Sequence, residues 1–191
     1  MNETTSGRAT GPSPARLQEL VDRQDILDAL LRYTRGVDRL DHDLLRSAYW
    51  PGAVDDHGVF RGPIEEFLPW ADGIHRKLHH GTQHVITNHT CEIDGDVAHT
   101  ETYMMMVGMN KSGTPVTLHG GRYIDQLERR DGEWRIAHRV SMVEWTGGVV
   151  PPDLPPVERE PNGTVARDRT DTSYDRPLLT DERRARGTGP Q

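Results

Sequence analysis

The chain has 191 residues, a formal net charge of -7 and 34% hydrophobic residues, which is enough for one domain with a core. Its basic residues are scattered rather than gathered in a stripe, so the sequence lacks the electrostatic footprint of a nucleic-acid-binding protein. Cys91 is the only cysteine, which excludes an intrachain disulfide and zinc sites built on several thiolates. No apolar run approaches the roughly 20 residues that span a bilayer and the N-terminus has no apolar signal segment, so we expect a cytoplasmic protein without membrane contact.

The N-terminal part is predicted to form three helices after a leader. Residues 1–14 are rich in Gly, Ser, Thr and Pro and are predicted to be a disordered leader. Apolar residues then recur at helical spacing, Asp41 is a suitable N-cap and Pro63 suits the first turn of a helix. The predicted helices run from Leu17 to about Gly36, from Asp41 to before Pro51, and from Pro63 to Leu78, with a short strand around residues 54–60.

From Gln83 onward the sequence changes to a β pattern. Four apolar stretches are separated by the turn sequences IDGD, NKSG and RRDG, which predicts four strands joined by hairpins. The predicted fold is therefore α+β, a cone-shaped, curled, mostly antiparallel sheet with three N-terminal helices that enclose a pocket, formed by residues 15–149. Residues 150–191 are rich in Pro and charged residues and are predicted to be an extended tail, of which the part around DTSYDRPL could dock on the folded body.

A histidine and a carboxylate are the main candidates for chemistry. Strand alternation predicts that His84 shares one face of its strand with Ile86 and Asn88, a face that could point into the pocket. Histidine accepts protons near neutral pH but needs an acidic partner to fix its tautomer, and we choose Asp38 at the end of the first helix. Taken singly, each has an ordinary alternative, a loop-capping carboxylate for Asp38 and a structural histidine for His84.

Further pocket residues are predicted from strand and helix faces. Tyr33 lies on the apolar face of the first helix, as a core tyrosine whose hydroxyl reaches the pocket rim. Arg139 alternates with His138 in the last strand, and on a concave face it would need an anion, either a substrate oxygen or Asp38, while a solvent-exposed arginine is the alternative. The methionine run from Met104 to Met106 suggests an adaptable apolar lining. The other predicted pocket residues are Asp55, Tyr103, His119, Tyr123 and Ser141.

Metal and nucleotide sites are not predicted. Histidines cluster between His79 and His89, and VDDHG adds Asp55, Asp56 and His57, but no His-x-x-x-His pair lies on a convincing helix. No glycine-rich phosphate loop follows a strand, so we expect no nucleotide cofactor.

Four segments follow one another in a recognisable order: Tyr33 and Asp38 in RYTRGVDRLD, then VDDHGVFRGP, then HVITN, then GGRYIDQLERRDGEWRIAHR. Over about residues 16–147 the chain resembles the SnoaL-like family of the nuclear-transport-factor-like superfamily. The resemblance implies a relationship to dehydratases and a dehydrochlorinase in which a His–Asp dyad draws a proton from carbon while a leaving group departs. Asp38 and His84 fall at the positions of that dyad.

The resemblance also implies roles, assembly and alternatives. Arg139 matches a pocket arginine, and Tyr33 matches a tyrosine of the dehydratases, which favours loss of water. We therefore expect a cofactor-independent lyase, a dehydratase acting on a hydrophobic small molecule, with His84 as base, Asp38 orienting it, Tyr33 assisting a carbonyl or leaving oxygen, and Arg139 holding an anion. The resemblance implies a homo-oligomer, a trimer or a dimer. The alternatives are an isomerase, polyketide cyclase or epoxide hydrolase on the same fold, or a non-catalytic small-molecule-binding protein.

Overall fold

Three α-helices, one short 3₁₀ helix (Thr172–Tyr174) and six strands are present in the computed structural model, which describes residues 11–113, 115–150 and 163–178. The helices are α1 (Pro14–Arg39), α2 (His42–Ser47) and α3 (Ile64–Leu78). The strands are β1 (Tyr49–Asp56), β2 (Arg61–Pro63), β3 (His79–Asp94), β4 (Val97–Asn110), β5 (Val116–Arg130) and β6 (Glu133–Val149). Most of the predicted leader, residues 1–10, lies outside the described residues, as do residues 151–162 and 179–191 of the predicted tail.

The six strands form one sheet in the order β2-β1-β6-β5-β4-β3. The last four strands make an antiparallel meander, β1 pairs in parallel with β6, and β2 adds an antiparallel edge. The predicted α+β class with a mostly antiparallel sheet is confirmed, and the four strands expected after Gln83 are β3 to β6, although β3 already begins at His79. The single strand expected around residues 54–60 is replaced by β1 and β2, because the chain turns back between them.

Helix α1 continues past the end predicted for it, and this places Asp38 within its last turn. The helix begins where the Ser13 side chain accepts a hydrogen bond from the Arg16 backbone N–H at 3.3 Å. Its C-terminal cap is Leu40, whose φ of 51° is left-handed and whose N–H bonds back to carbonyls of the last turn. The helix therefore ends at Arg39 rather than near Gly36, since Leu40 takes the role of the C-terminal cap.

The core lies between the helices and the inner face of the sheet. Its largest apolar side chains are fully buried, and three tyrosines meet within it: the Tyr33 ring packs edge-on against Tyr49 and Tyr123 at centroid distances of 5.9 and 5.4 Å. Trp134 anchors the start of β6 by donating from Nε1 to Asp22 in α1 at 3.0 Å. These contacts fix the face of α1 that carries Tyr33 against the sheet.

Helices α1 and α2 approach closest at Gly36. A Cβ built there would lie 2.7 Å from the backbone N and Cα of Leu45. We expect Gly36→Ala to lower the free energy of unfolding by about 1–3 kcal/mol, because the two backbones must separate to admit the methyl group. Urea unfolding measures this, with Gly73→Ala in α3 as control, since a Cβ there meets no atom within 4 Å. If Gly36→Ala were as stable as the wild type, the close helix contact would be disproved.

Candidate functional site

A cavity of about 520 Å³ lies between α1, α3 and the meander β3 to β6. Much of its wall is apolar or aromatic, with Phe67 and Trp70 from α3 and Met104 and Met106 from β4. The wall also carries imidazole rings, those of His57, His75, His79, His84 and His119. An apolar surface interrupted by a few titratable groups is typical of a small-molecule site.

His84 reaches the cavity wall while its ring is held from behind by Asp38. The distance between His84 Nδ1 and Asp38 Oδ1 is 2.6 Å, and the two side chains are only 7% and 16% exposed. The other carboxylate oxygen of Asp38 accepts the His84 backbone N–H at 2.8 Å, and Thr82 Oγ1 donates to Oδ1 at 2.9 Å. The last turn of α1 and the start of β3 thus fix one carboxylate with three hydrogen bonds. Among the described residues, His84 Nε2 has no hydrogen-bond partner.

Arg167, in the last described stretch, lies next to the Asp38–His84 pair. Its guanidinium donates to the Asp38 carbonyl oxygen at 3.2 Å, to the His75 carbonyl oxygen at 3.3 Å and to Thr82 Oγ1 at 3.3 Å. Burial lowers the pKa of Arg167, while the nearby Asp38 carboxylate opposes that shift. The segment 163–178 therefore contributes directly to the surroundings of Asp38.

His75 is the nearest imidazole to His84, and it stays uncharged. The two ring centroids are 5.7 Å apart in an edge-to-face arrangement. Burial, followed by the positive fields of His84 and Arg167, lowers the pKa of His75 to about 3. His75 therefore adds no positive charge beside His84 at neutral pH.

The buried, neutral His75 predicts a specific loss of stability in acid. Its ordinary pKa of 6.5 applies in the unfolded chain and a pKa of about 3 in the folded one, so its contribution is fully present above pH 6.5. Below that pH the unfolded chain binds a proton that the folded chain rejects, and stability falls by up to about 1.4 kcal/mol per pH unit until pH 3. We expect His75→Leu to lose less stability than the wild type between pH 7 and 5 in urea unfolding, with His99→Gln as an exposed-histidine control. Parallel pH profiles for wild type and His75→Leu would contradict this assignment.

A second histidine–carboxylate pair lies at another part of the same wall. His57 Nδ1 bonds to Asp55 Oδ1, and the second oxygen of Asp55 accepts the Tyr49 hydroxyl at 2.6 Å. The Tyr33 hydroxyl lies 3.3 Å from His57 Nε2. Asp55 is completely buried, whereas the His57 side chain is 19% exposed and stacks on Phe67 with the ring centroids 4.8 Å apart. Burial raises the pKa of Tyr33 well above its ordinary value, so its hydroxyl remains a hydrogen-bond donor.

Arg139 lies behind the cavity wall and has a different partner from those predicted. Its Nε and Nη2 donate to the two carboxylate oxygens of Asp125, both at 2.7 Å, and both side chains are completely buried. Its guanidinium carbon lies 4.0 Å from the ring centroid of Tyr33 and 4.1 Å from that of Tyr123. Asp125 is the register partner of Arg139 across β5 and β6, so its carboxylate binds the guanidinium in place of Asp38 or a substrate oxygen.

The remaining predicted pocket residues divide into two groups. His119, Tyr123 and Ser141 line the cavity, together with Tyr33 and His84. Tyr103 lies on the opposite face of β4, 43% exposed, where Arg122 covers its ring. Asp55 does not line the cavity but hydrogen-bonds to His57, which does.

Strand β3 contains an irregularity that changes which of its side chains point toward the same face as His84. Its pairing register with β4 shifts between Ile86 and His89. His84 and Ile86 keep a shared, partly buried face, but Asn88 is exposed and His89 takes the inward position. The prediction that Asn88 shares the face of His84 is therefore wrong, because a bulge reverses the alternation.

His57 and His75 were not among the predicted site residues. For His57 the sequence did carry a signal, since Asp55 and His57 are two residues apart and so could share a strand face next to Phe60. His75 carries no comparable signal, because only the docking of α3 against β3 places its ring beside His84.

The described parts of the chain show neither a metal cluster nor a membrane helix. Within residues 11–113, 115–150 and 163–178, no group of three or more His, Cys, Asp or Glu side chains is arranged to hold a metal ion. None of the helices described is both long and apolar enough to cross a membrane.

Comparison with known proteins identifies relatives with the same architecture. Hexachlorocyclohexane dehydrochlorinase 1 of Sphingobium indicum is 28% identical over 125 residues, 63% of this chain and 80% of the relative. The structure of hexachlorocyclohexane dehydrochlorinase LinA-type3 from Novosphingobium barchaimii LL02 has a TM-score of 0.67 at 22% identity, over 74% of this chain and 99% of that one. A candidate scytalone dehydratase from Novosphingobium aromaticivorans has a TM-score of 0.64 at 17% identity, over 76% and 99% of the two chains. Residues 18–140 match the SnoaL-like domain family, and the chain therefore belongs to that family.

Proposed function

We propose that the chain is a cofactor-independent lyase of the dehydratase type, which removes a carbon-bound proton from a hydrophobic small molecule while a neighbouring hydroxyl departs. The observation that carries the proposal is the 2.6 Å hydrogen bond between Asp38 and His84 at the wall of an apolar cavity. A base at the wall of an apolar cavity can take a proton from a substrate carbon that the cavity holds beside it.

His84 is the general base in this proposal, with Nε2 as the accepting atom. The Asp38 carboxylate can only accept hydrogen bonds, so His84 Nδ1 carries the hydrogen and the lone pair is on Nε2. When Nε2 takes the proton, the negative charge of Asp38 stabilises the imidazolium. Because three donors hold the carboxylate, the ring is oriented before the substrate arrives.

Tyr33 is the proposed hydrogen-bond donor to a substrate oxygen. Its hydroxyl lies at the cavity wall and remains protonated, because burial raises its pKa. Arg139 contacts the faces of Tyr33 and Tyr123 rather than the cavity, so in this proposal it positions the phenol rings instead of binding an anion. Its charge is balanced by Asp125.

The relatives support an elimination and the cavity supports a hydrophobic substrate. A dehydrochlorinase and a dehydratase both remove a proton and a leaving group from neighbouring atoms, and the first is the name of a relative in sequence. The cavity wall of Phe67, Trp70, Met104 and Met106 suits an aromatic or alicyclic carbonyl compound.

The reaction can be tested with three probes in deuterated water, followed by NMR. The probes are the aldol of benzaldehyde and acetone, phenylacetone as an enolisable ketone, and styrene oxide. We expect the aldol to lose water to give its enone and phenylacetone to exchange its benzylic hydrogen, whereas styrene oxide remains intact.

Each other result identifies a competing function. Formation of a diol from styrene oxide with the aldol unchanged would identify an epoxide hydrolase. Exchange of the benzylic hydrogen of phenylacetone with the aldol left unchanged would identify an isomerase-type enzyme that only enolises its substrate. Binding of the probes with no chemical change would identify a non-catalytic binding protein, and each of these results contradicts the proposed lyase.

A further inference from the structure

The cavity wall carries two separate histidine–carboxylate pairs. In the first, His84 is bound to Asp38; in the second, His57 is bound to Asp55. The pairs differ in what lies beyond the imidazole. Among the described residues, His84 Nε2 has no partner, whereas His57 Nε2 faces the Tyr33 hydroxyl at 3.3 Å.

The second pair has the features of a proton relay rather than of a packing contact. Asp55 is completely buried, and its oxygens are shared between Tyr49 and His57. Within the described part of the chain no Arg or Lys hydrogen-bonds to Asp55, so His57 is the one basic side chain bound to this carboxylate there. His57 and Tyr33 both line the cavity, and the Tyr33 hydroxyl lies next to His57 Nε2.

We infer that Asp55, His57 and Tyr33 form a chain that protonates the leaving oxygen, which makes the substrate of this cavity an alcohol that loses water. The inference rests on the proposed elimination at His84. Tyr33 is the group that touches the substrate, His57 supplies the proton through Tyr33, and Asp55 positions His57 and stabilises its charged form.

The proton transfers balance within the chain's own residues. His84 Nε2 takes the proton from carbon, the C–H electron pair forms the double bond, and the C–O bond breaks with its electron pair on oxygen. That oxygen takes the Tyr33 hydroxyl proton, and Tyr33 takes the Nε2 proton of charged His57. His84 ends charged and His57 neutral, and exchange with water restores both.

Two pairs are needed because hydroxide is a poor leaving group. A base alone suffices when acetate or chloride departs, but departure of hydroxide at neutral pH requires a proton from a general acid, which is typically worth ~10²- to 10⁴-fold in rate. A base and an acid on the wall of one cavity meet both requirements of a dehydration.

The test compares two leaving groups on one carbon skeleton. The probes are the aldol of benzaldehyde and acetone and its O-acetyl ester, which give the same enone and can be followed by its ultraviolet absorbance. We expect His57→Gln, whose amide can still bond to Asp55, to lower kcat for the aldol by ~10²-fold and kcat for the ester by less than about tenfold. Tyr33→Phe, which keeps the ring against Arg139, should show the same split.

Controls separate this inference from the proposed function. The double variant Tyr33→Phe with His57→Gln should be no slower than about the slower single variant, since both act in one chain. His99→Gln, at an exposed histidine of β4, should match the wild type. If His57→Gln lowered kcat for the aldol and for the ester equally, while His84→Gln still removed both activities, the relay would be disproved and the proposed function would stand. If His84→Gln also left both activities intact, the proposed function would fail.

Discussion

Replacing His84 by glutamine is expected to reduce kcat for dehydration of the benzaldehyde–acetone aldol by ~10²- to 10⁴-fold, which is the usual contribution of a general base. The same variant should stop hydrogen exchange of phenylacetone in deuterated water, because His84 is the proposed base for the carbon-bound proton. Circular dichroism should be unchanged, since the His84 backbone N–H still binds Asp38.

Asp38→Asn tests the same pair through the tautomer of the histidine. One carboxylate oxygen must accept the His84 backbone N–H, so the new amide NH₂ has to face His84 Nδ1. The ring then carries its hydrogen on Nε2 and loses its lone pair toward the cavity. We expect a loss of activity comparable to that of His84→Gln with the fold retained. Full turnover in either variant would exclude the pair as the source of the base.

Asp125→Ala should be among the most destabilising single changes in the chain. It leaves the Arg139 guanidinium completely buried without its bidentate partner, and breaking a buried pair on one side costs about 3–5 kcal/mol. Urea unfolding at neutral pH measures the effect. A double variant with Leu at Asp125 and Met at Arg139 should be more stable than the single one, because no buried charge remains.

An exposed ion pair supplies the control for this prediction. Asp43 and Arg46 face each other on α2 at 3.9 Å with both side chains mostly exposed, and Asp43→Ala should change stability little. If Asp125→Ala were equally harmless, the Arg139 charge would have to be neutralised by other means.

Secondary structure and fold class could be predicted because the signals are local. The Asp41 cap, the turn at Asp131 and Gly132 and the alternation along β5 all depend on neighbouring residues. The end of α1 was placed too early because Gly36 serves close packing with α2 rather than termination, and Leu40 adopts the left-handed conformation instead.

The site was predicted less completely because it depends on register and on distant contacts. A bulge in β3 moved Asn88 out of the face of His84, and no residue type in HVITN signals it. Strand alternation in β6 is compatible with an inward-pointing Arg139. Its partner, however, is determined by cross-strand pairing with Asp125, which the alternation does not reveal. The contact between the His84 and His75 rings depends on the packing of α3 against β3, which the sequence does not reveal.

The sequence predicts that the part around DTSYDRPL could dock on the folded body, and this part does contact α1 and the cap of α2. There the Tyr174 hydroxyl donates to Asp41 at 2.8 Å, and the Arg35 guanidinium lies 4.7 Å from the Tyr174 ring centroid. The residue nearest to the site, Arg167, lies ahead of that part and gave no signal in the sequence.

Arg167 bonds to the C-terminal ends of two helices, next to Asp38. The carbonyl oxygens of Asp38 and His75 belong to the final turns of α1 and α3, where the partial negative charges of two helix macrodipoles collect. One guanidinium compensates both ends next to the carboxylate that orients His84. A shortened chain that stops at Val150 would still contain the family-matched range 18–140, yet it would lack this compensating cation. The electrostatic surroundings of Asp38 thus extend beyond the family-matched range.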